Sequence, residues 1–130
     1  MKRHEQLQNL SREHHLALKL ALLVRRALES GEPPKIQAAA TTCATAFVSD
    51  LEPHFIREES DVLPLLAQAG EIALVERTLN EHDEMRRLAT KLNLPTADPA
   101  TLQRFGKLLG AHVRFEEHEL FEVAQRHLTA

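Results

Sequence analysis

The chain carries one pattern twice: His54-Phe55-Ile56-Arg57-Glu58-Glu59 and, 58 residues later, His112-Val113-Arg114-Phe115-Glu116-Glu117, both of the form HxxxEE. On a helix, a His and a Glu four positions apart project from one face about one turn apart. Each copy therefore offers an imidazole and a carboxylate to a common point. Two copies suggest one shared metal site. The only cysteine, Cys43, cannot close an internal disulfide or build a thiolate zinc site, so any metal here rests on nitrogen and oxygen donors. Cys43 itself reads as a small buried apolar residue.

Four helices must position these groups. Helix-compatible periodicity covers nearly the whole chain, and turn residues are confined to a few places. A first helix from about His4 to Glu29 stops at Ser30-Gly31-Glu32-Pro33-Pro34. A second, from near Lys35, runs to Gly70, and a third covers about Glu71 to Leu92. Asn93-Leu94-Pro95-Thr96-Ala97-Asp98-Pro99 then breaks the pattern. Asp98 and Pro99 supply an N-cap and first-turn pair for a fourth helix reaching about His127. Long helices joined by short loops imply an all-α, antiparallel up-down-up-down four-helix bundle. Pro53 and Pro64 fall inside the second helix, so a kink near Pro53, or a break into two shorter helices, is expected.

The repeat extends beyond HxxxEE. Glu13-His14 is followed by Lys19-Leu20-Ala21, and Glu81-His82 by Arg87-Leu88-Ala89, so the first and third helices share EHx4[KR]LA. The chain reads as two related hairpins, and pseudo-two-fold packing would bring one His from each helix to one centre. On the first helix, Leu10, Ala17, Ala21, Val24 and Leu28 make an apolar stripe; His14 lies at its edge, whereas His15 falls near Lys19 on the solvent side. His14 is therefore preferred over His15. On the third helix His82 lies with Val75, Leu79 and Met85; on the fourth, His112 follows Phe105 and Leu108 and precedes Glu116 at helical spacing. The expected ligands are His14, His54, Glu58, His82, His112 and Glu116. Any one of these alone would read as an ordinary core or surface residue, and the joint arrangement is what points to a metal, which satisfies buried polar groups together. Glu59 and Glu117, one position on, point about 100° away and read either as acceptors for imidazole N–H groups or as solvated. His4, His15, His118 and His127 read as surface residues.

Composition narrows the function classes. The 130 residues suit one domain over 1–130, with 43% hydrophobic and 27% charged residues and a net charge of −3. Basic residues are scattered among acids, and Trp and Tyr are missing, so nucleic acid is not an expected partner. The longest apolar stretch, Leu16 to Val24, is interrupted by Lys19 and too short to cross a bilayer; no membrane association and a cytoplasmic location are expected.

Four imidazoles and two carboxylates exceed one tetrahedral zinc and suit a pair of first-row metals bridged by the carboxylates and a water-derived ligand, with iron the expected occupant. A ferritin-type site needs Glu-x-x-His, and no His here has a Glu three residues before it; HExxH is likewise missing. The order His14, His54-x-x-x-Glu58, His82, His112-x-x-x-Glu116 resembles the hemerythrin-like, HHE cation-binding domain over essentially the whole chain. The stretch from His54 to Val62-Leu63-Pro64 is especially similar to that family's second-helix signature. The resemblance implies a bundle holding two irons with an oxo or hydroxo bridge, Glu58 and Glu116 bridging and the four His terminal; zinc and manganese are compatible with the same donors. Oxygen-carrying hemerythrins have two ligating His on the third helix, where this chain has Thr78 and Arg86 one turn either side of His82. One imidazole fewer favours sensing or redox handling over simple oxygen carriage.

Three functions follow. The first is a non-enzymatic di-iron protein responding to oxygen, nitric oxide, redox state or iron supply, with a small diatomic ligand or peroxide as its partner at the metal and any protein partner unidentified. The second is a di-iron redox enzyme consuming peroxide or nitric oxide, or assisting iron–sulfur cluster repair. The third is a metal-free helical interaction module.

Overall fold

The computed structural model describes residues 2–95 and 97–129; Thr96, within the expected break at 93–99, lies outside them, as do Met1 and Ala130. Among the described residues seven α-helices follow one another: α1 Glu5–Ser30, α2 Pro33–Ala46, α3 Glu52–Asp61, α4 Leu63–Gln68, α5 Ile72–Leu92, α6 Pro99–Phe115 and α7 Phe121–Thr129. Two π-helical turns, Phe47–Leu51 and Glu116–Leu120, join α2 to α3 and α6 to α7. The helices therefore group into four rods: α1, α2 through α4, α5, and α6 with α7. No strand occurs among the described residues.

The stops are those the turn residues dictate. Gly31 caps α1 in the left-handed region at φ 66°, and Gly70, at φ 84°, lies between α4 and α5. Asp98 accepts the Thr101 N–H at 2.7 Å, with Pro99 in the first turn of α6. Pro53 gives no simple kink. Its ring would meet the Ser49 carbonyl in a regular helix, and the chain instead passes through the π turn, where the Glu52 N–H bonds the Phe47 carbonyl five residues back. The rod breaks later, at Val62 (φ −105°), and Pro64 then sits in the first turn of α4, where a missing N–H costs nothing.

The core is two apolar clusters. One gathers Ala17, Leu20 and Val24 of α1 with Cys43, Phe55, Met85, Leu92, Phe105 and Leu109; the other gathers Leu7 and Leu10 with Val62, Leu66, Phe115, Leu120 and Phe121. Successive rods meet the two clusters in opposite order, as antiparallel neighbours must. Close approach of α1 and α6 depends on Gly106, where an added Cβ would stand 2.7 Å from Val24 Cγ1. The expected inward position of Leu79 is corrected: it is 36% exposed, and Thr78, fully buried, takes the inward place with its hydroxyl donating to the Leu74 carbonyl.

Candidate metal centre

His14, His54, Glu58, His82, His112 and Glu116 are all buried, at 4% exposure or less, and they meet at the boundary between the two apolar clusters. His15, by contrast, is exposed, so His14 is the α1 histidine that faces the centre; His118 and His127 are also exposed. His4 is half-buried and caps α1, its Nδ1 accepting the Gln6 N–H.

Each carboxylate is split between two histidine pairs. Glu58 Oε2 lies 3.1 Å from His54 Nε2, and its Oε1 lies 3.1 Å from His82 Nε2. Glu116 Oε1 lies 2.7 Å from His14 Nε2, and its Oε2 lies 3.0 Å from His112 Nε2. Two donor sets result, His14, His54, Glu58 and Glu116 on one side and Glu58, His82, His112 and Glu116 on the other, each with all ligand atoms within 4.8 Å of one another. Both carboxylates belong to both sets, which is the arrangement a bridging ligand requires.

The outer nitrogens explain why these imidazoles face inward as they do. His14 Nδ1 donates to Glu117 at 2.6 Å, His54 Nδ1 to Glu13 at 2.8 Å, His82 Nδ1 to Glu59 at 2.8 Å and His112 Nδ1 to Glu81 at 2.7 Å. An ionised carboxylate can only accept, so each Nδ1 carries a proton and Nε2 is left facing the centre, where the neutral form of the ring would offer a metal its lone pair. Four Nε2 atoms thus face four carboxylate oxygens, an arrangement that protons or metal cations can satisfy. His54 Nε2, His82 Nε2, His112 Nε2, both Glu58 oxygens and Glu116 Oε2 are buried without a hydrogen-bond partner. Leaving buried polar atoms unpaired costs about 1–3 kcal/mol each. Donors about 2.1 Å from one first-row ion and at right angles stand about 3.0 Å apart, and the nearest N···O separations here are 2.7 to 3.1 Å. The residues fit a pair of cations.

The Hemerythrin HHE cation binding domain family matches residues 6–124. The chain belongs to this hemerythrin HHE family. Comparisons with curated proteins and with solved structures give no match.

In this HHE domain the four outer glutamates form a directed ring. Glu13 on α1 serves the His of the second rod, Glu59 on α3 that of the third, Glu81 on α5 that of the fourth, and Glu117 that of the first. The sequence signal lay in EH on odd rods and EE on even ones. Stepping back one residue on an ascending helix, or forward one on a descending helix, turns the side chain through about 100° in the same sense viewed down the bundle. The offset that points Glu59 and Glu117 away from the centre aims them into the seam with the next rod. They are therefore acceptors for imidazole N–H groups, one of the two readings their spacing left open. Glu13 and Glu81 received no role from sequence, although their motif was visible.

An arginine backs each acid: Arg57 on Glu13 at 2.6 Å, Arg86 on Glu59 at 3.0 Å, Arg77 on Glu81 at 3.1 Å and Arg3 on Glu117 at 3.2 Å. Arg86 also pairs with Glu52 and Asp83, so this position beside His82 is committed to ion pairing. Burial pushes the Glu117 carboxyl up, but hydrogen bonds from His14 and Ser11 outweigh it and hold the group down at about 2. The inner imidazoles move the other way. Burial opposes their charge, yet the Glu116 and Glu58 carboxylates raise His82 to about 9 and His54 to about 11. At His112, burial is likewise overcome by Glu116 and Glu81, which raise it to about 10. Without a metal, protons take the places between nitrogen and oxygen. Cys43 is fully buried, and its burial raises the thiol to about 12, so it stays protonated and apart from this chemistry.

Proposed function

We propose that this HHE domain holds two iron ions, one between His14 and His54 and one between His82 and His112, with Glu58 and Glu116 bridging. Its role in this reading is to respond to oxygen, nitric oxide, redox state or iron supply. The observation that carries it is the division of both buried carboxylates between two histidine pairs. Each position receives two imidazole nitrogens and two carboxylate oxygens, which leaves a six-coordinate first-row ion room for small exogenous ligands such as a diatomic molecule or peroxide. Bound iron would supply reversible electron transfer and ligand coordination. The chain's own residues supply orientation, through the outer glutamates, and exclusion of bulk water, through Phe55 stacked 4.0 Å from the His82 ring and Phe121 stacked on His14.

No helix among the described residues is long and apolar enough to cross a membrane. The reading keeps the cytoplasmic location expected from sequence. It is tested by reconstituting the protein anaerobically with ferrous iron and admitting air. Two irons per chain and a new near-ultraviolet charge-transfer absorption are expected; far fewer than two, with no new absorption, would overturn it. Nitric oxide or peroxide consumed in large excess over protein would replace the sensing role with an enzymatic one.

A further inference from the structure

The two donor sets have the same chemistry but unequal surroundings. A cavity of about 220 Å³ reaches the centre between α1 and the second rod, with His14, His54, His112 and Glu116 at its floor; it thus touches both imidazoles of one donor set but only His112 of the other, and His82 does not line it. Glu13 and Arg57 also line it, and they are the more exposed: 37% for Glu13 and 46% for Arg57, against 5% or less for the floor residues. The Arg57 guanidinium reaches from α3 to both Glu13 oxygens, at 2.7 and 2.6 Å, so the pair spans the seam beside the opening. Glu13 is also the acceptor that fixes His54. On the far side, His82 is completely buried against Phe55, and its acceptor Glu59 is held by Arg86. His112 is fixed by Glu81, which at 20% exposure is the least exposed acid of the ring.

We infer that the centre has one guarded and one exchangeable metal position, the His14/His54 ion leaving and entering through this cavity, with Glu13 and Arg57 as the positioning residues that set its rate of exchange. The inference rests on the two-metal reading above. Loss of the Glu13 acceptor frees the His54 ring to turn, which removes one of two imidazoles from the exposed position. Loss of Glu81 does the same to the guarded one.

The test follows release of ferrous iron from the anaerobically loaded protein to ferrozine. Wild type should lose one iron quickly and one slowly, with rates at least about tenfold apart. Glu13→Ala should speed the fast phase by about 10- to 100-fold, the usual scale for losing an acceptor behind a ligand, and leave the slow phase unchanged. Glu81→Ala should speed the slow phase instead. Glu13→Gln keeps an acceptor without its charge and should fall between Glu13→Ala and wild type. Arg57→Ala touches no ligand and should speed the fast phase alone, so it decides the matter even if Glu13→Ala fails to fold by circular dichroism. Two irons leaving in a single phase, or Arg57→Ala and Glu81→Ala accelerating the same phase, would overturn this inference while leaving the two-metal reading intact. Fewer than two irons bound at the outset would overturn both.

Discussion

Glu58→Gln should weaken both metal positions at once, because one Glu58 oxygen lies 3.1 Å from His54 Nε2 and the other 3.1 Å from His82 Nε2. The substitution preserves shape and removes the charge that a bridging ligand must share. Two ions at about 100 times their dissociation constants stabilise the fold by about 5 kcal/mol in total. For a chain of this length, each kcal/mol moves the melting temperature by about 4 °C. Wild type should therefore melt about 20 °C higher with metal than without. Glu58→Gln should retain less than about 5 °C of that shift, each variant being compared with its own metal-free form. His14→Ala, touching one donor set only, should retain about half. The assay is thermal unfolding by circular dichroism under nitrogen, with ferrous iron or with chelator. A metal-induced shift in Glu58→Gln equal to that of wild type would refute the bridging role.

Four further outcomes follow from the same geometry. Stability of the metal-free protein should fall as pH rises from 6.5 through about 9: His82, raised to about 9 by Glu116 and Glu58 against its burial, contributes fully below its unfolded value and loses that contribution as it deprotonates. Metal affinity should move oppositely, falling with acidification; urea midpoints at pH 6 and 9, with and without metal, would show crossing trends, and parallel ones would count against it. His15→Ala should leave metal content at the wild-type value by elemental analysis, because His15 is exposed. Gly106→Ala should cost about 1–3 kcal/mol and lower the melting temperature, its Cβ standing 2.7 Å from Val24 Cγ1; Val24→Ala in the same chain should recover part of the loss. Cys43 should react with a thiol reagent only at the rate of unfolding, being fully buried and still a thiol at neutral pH.

The inner six residues were legible because helical spacing alone decides which side chains share a face, and a His and a Glu four apart share one whatever packs against them. The helix limits were legible at Gly31, Gly70 and Asp98-Pro99, where local chemistry leaves the chain little choice. Glu13 and Glu81 were not legible as site residues. Their role depends on a neighbouring rod running the opposite way, and the spacing within one helix carries no such information. The same limit left Glu59 and Glu117 open between acceptor and solvated residue. Around Pro53 the sequence shows that a hydrogen bond is lost, but not how the helix absorbs the loss; a π turn does so while keeping the rod continuous into His54. Leu79 was misplaced because its apolar character outweighed its angle: Thr78, His82, Met85 and Ala89 follow one another at helical spacing and are buried, and Leu79 lies about 100° round from Thr78.

The central claim is that two metal ions sit between Glu58 and Glu116. A crystal structure of the iron-reconstituted protein, with anomalous diffraction measured at the iron edge, tests it most directly. Two anomalous peaks per chain are expected, one bounded by His14 and His54 and the other by His82 and His112, with both carboxylates touching both. A single peak, or iron bound away from these six residues, would contradict it.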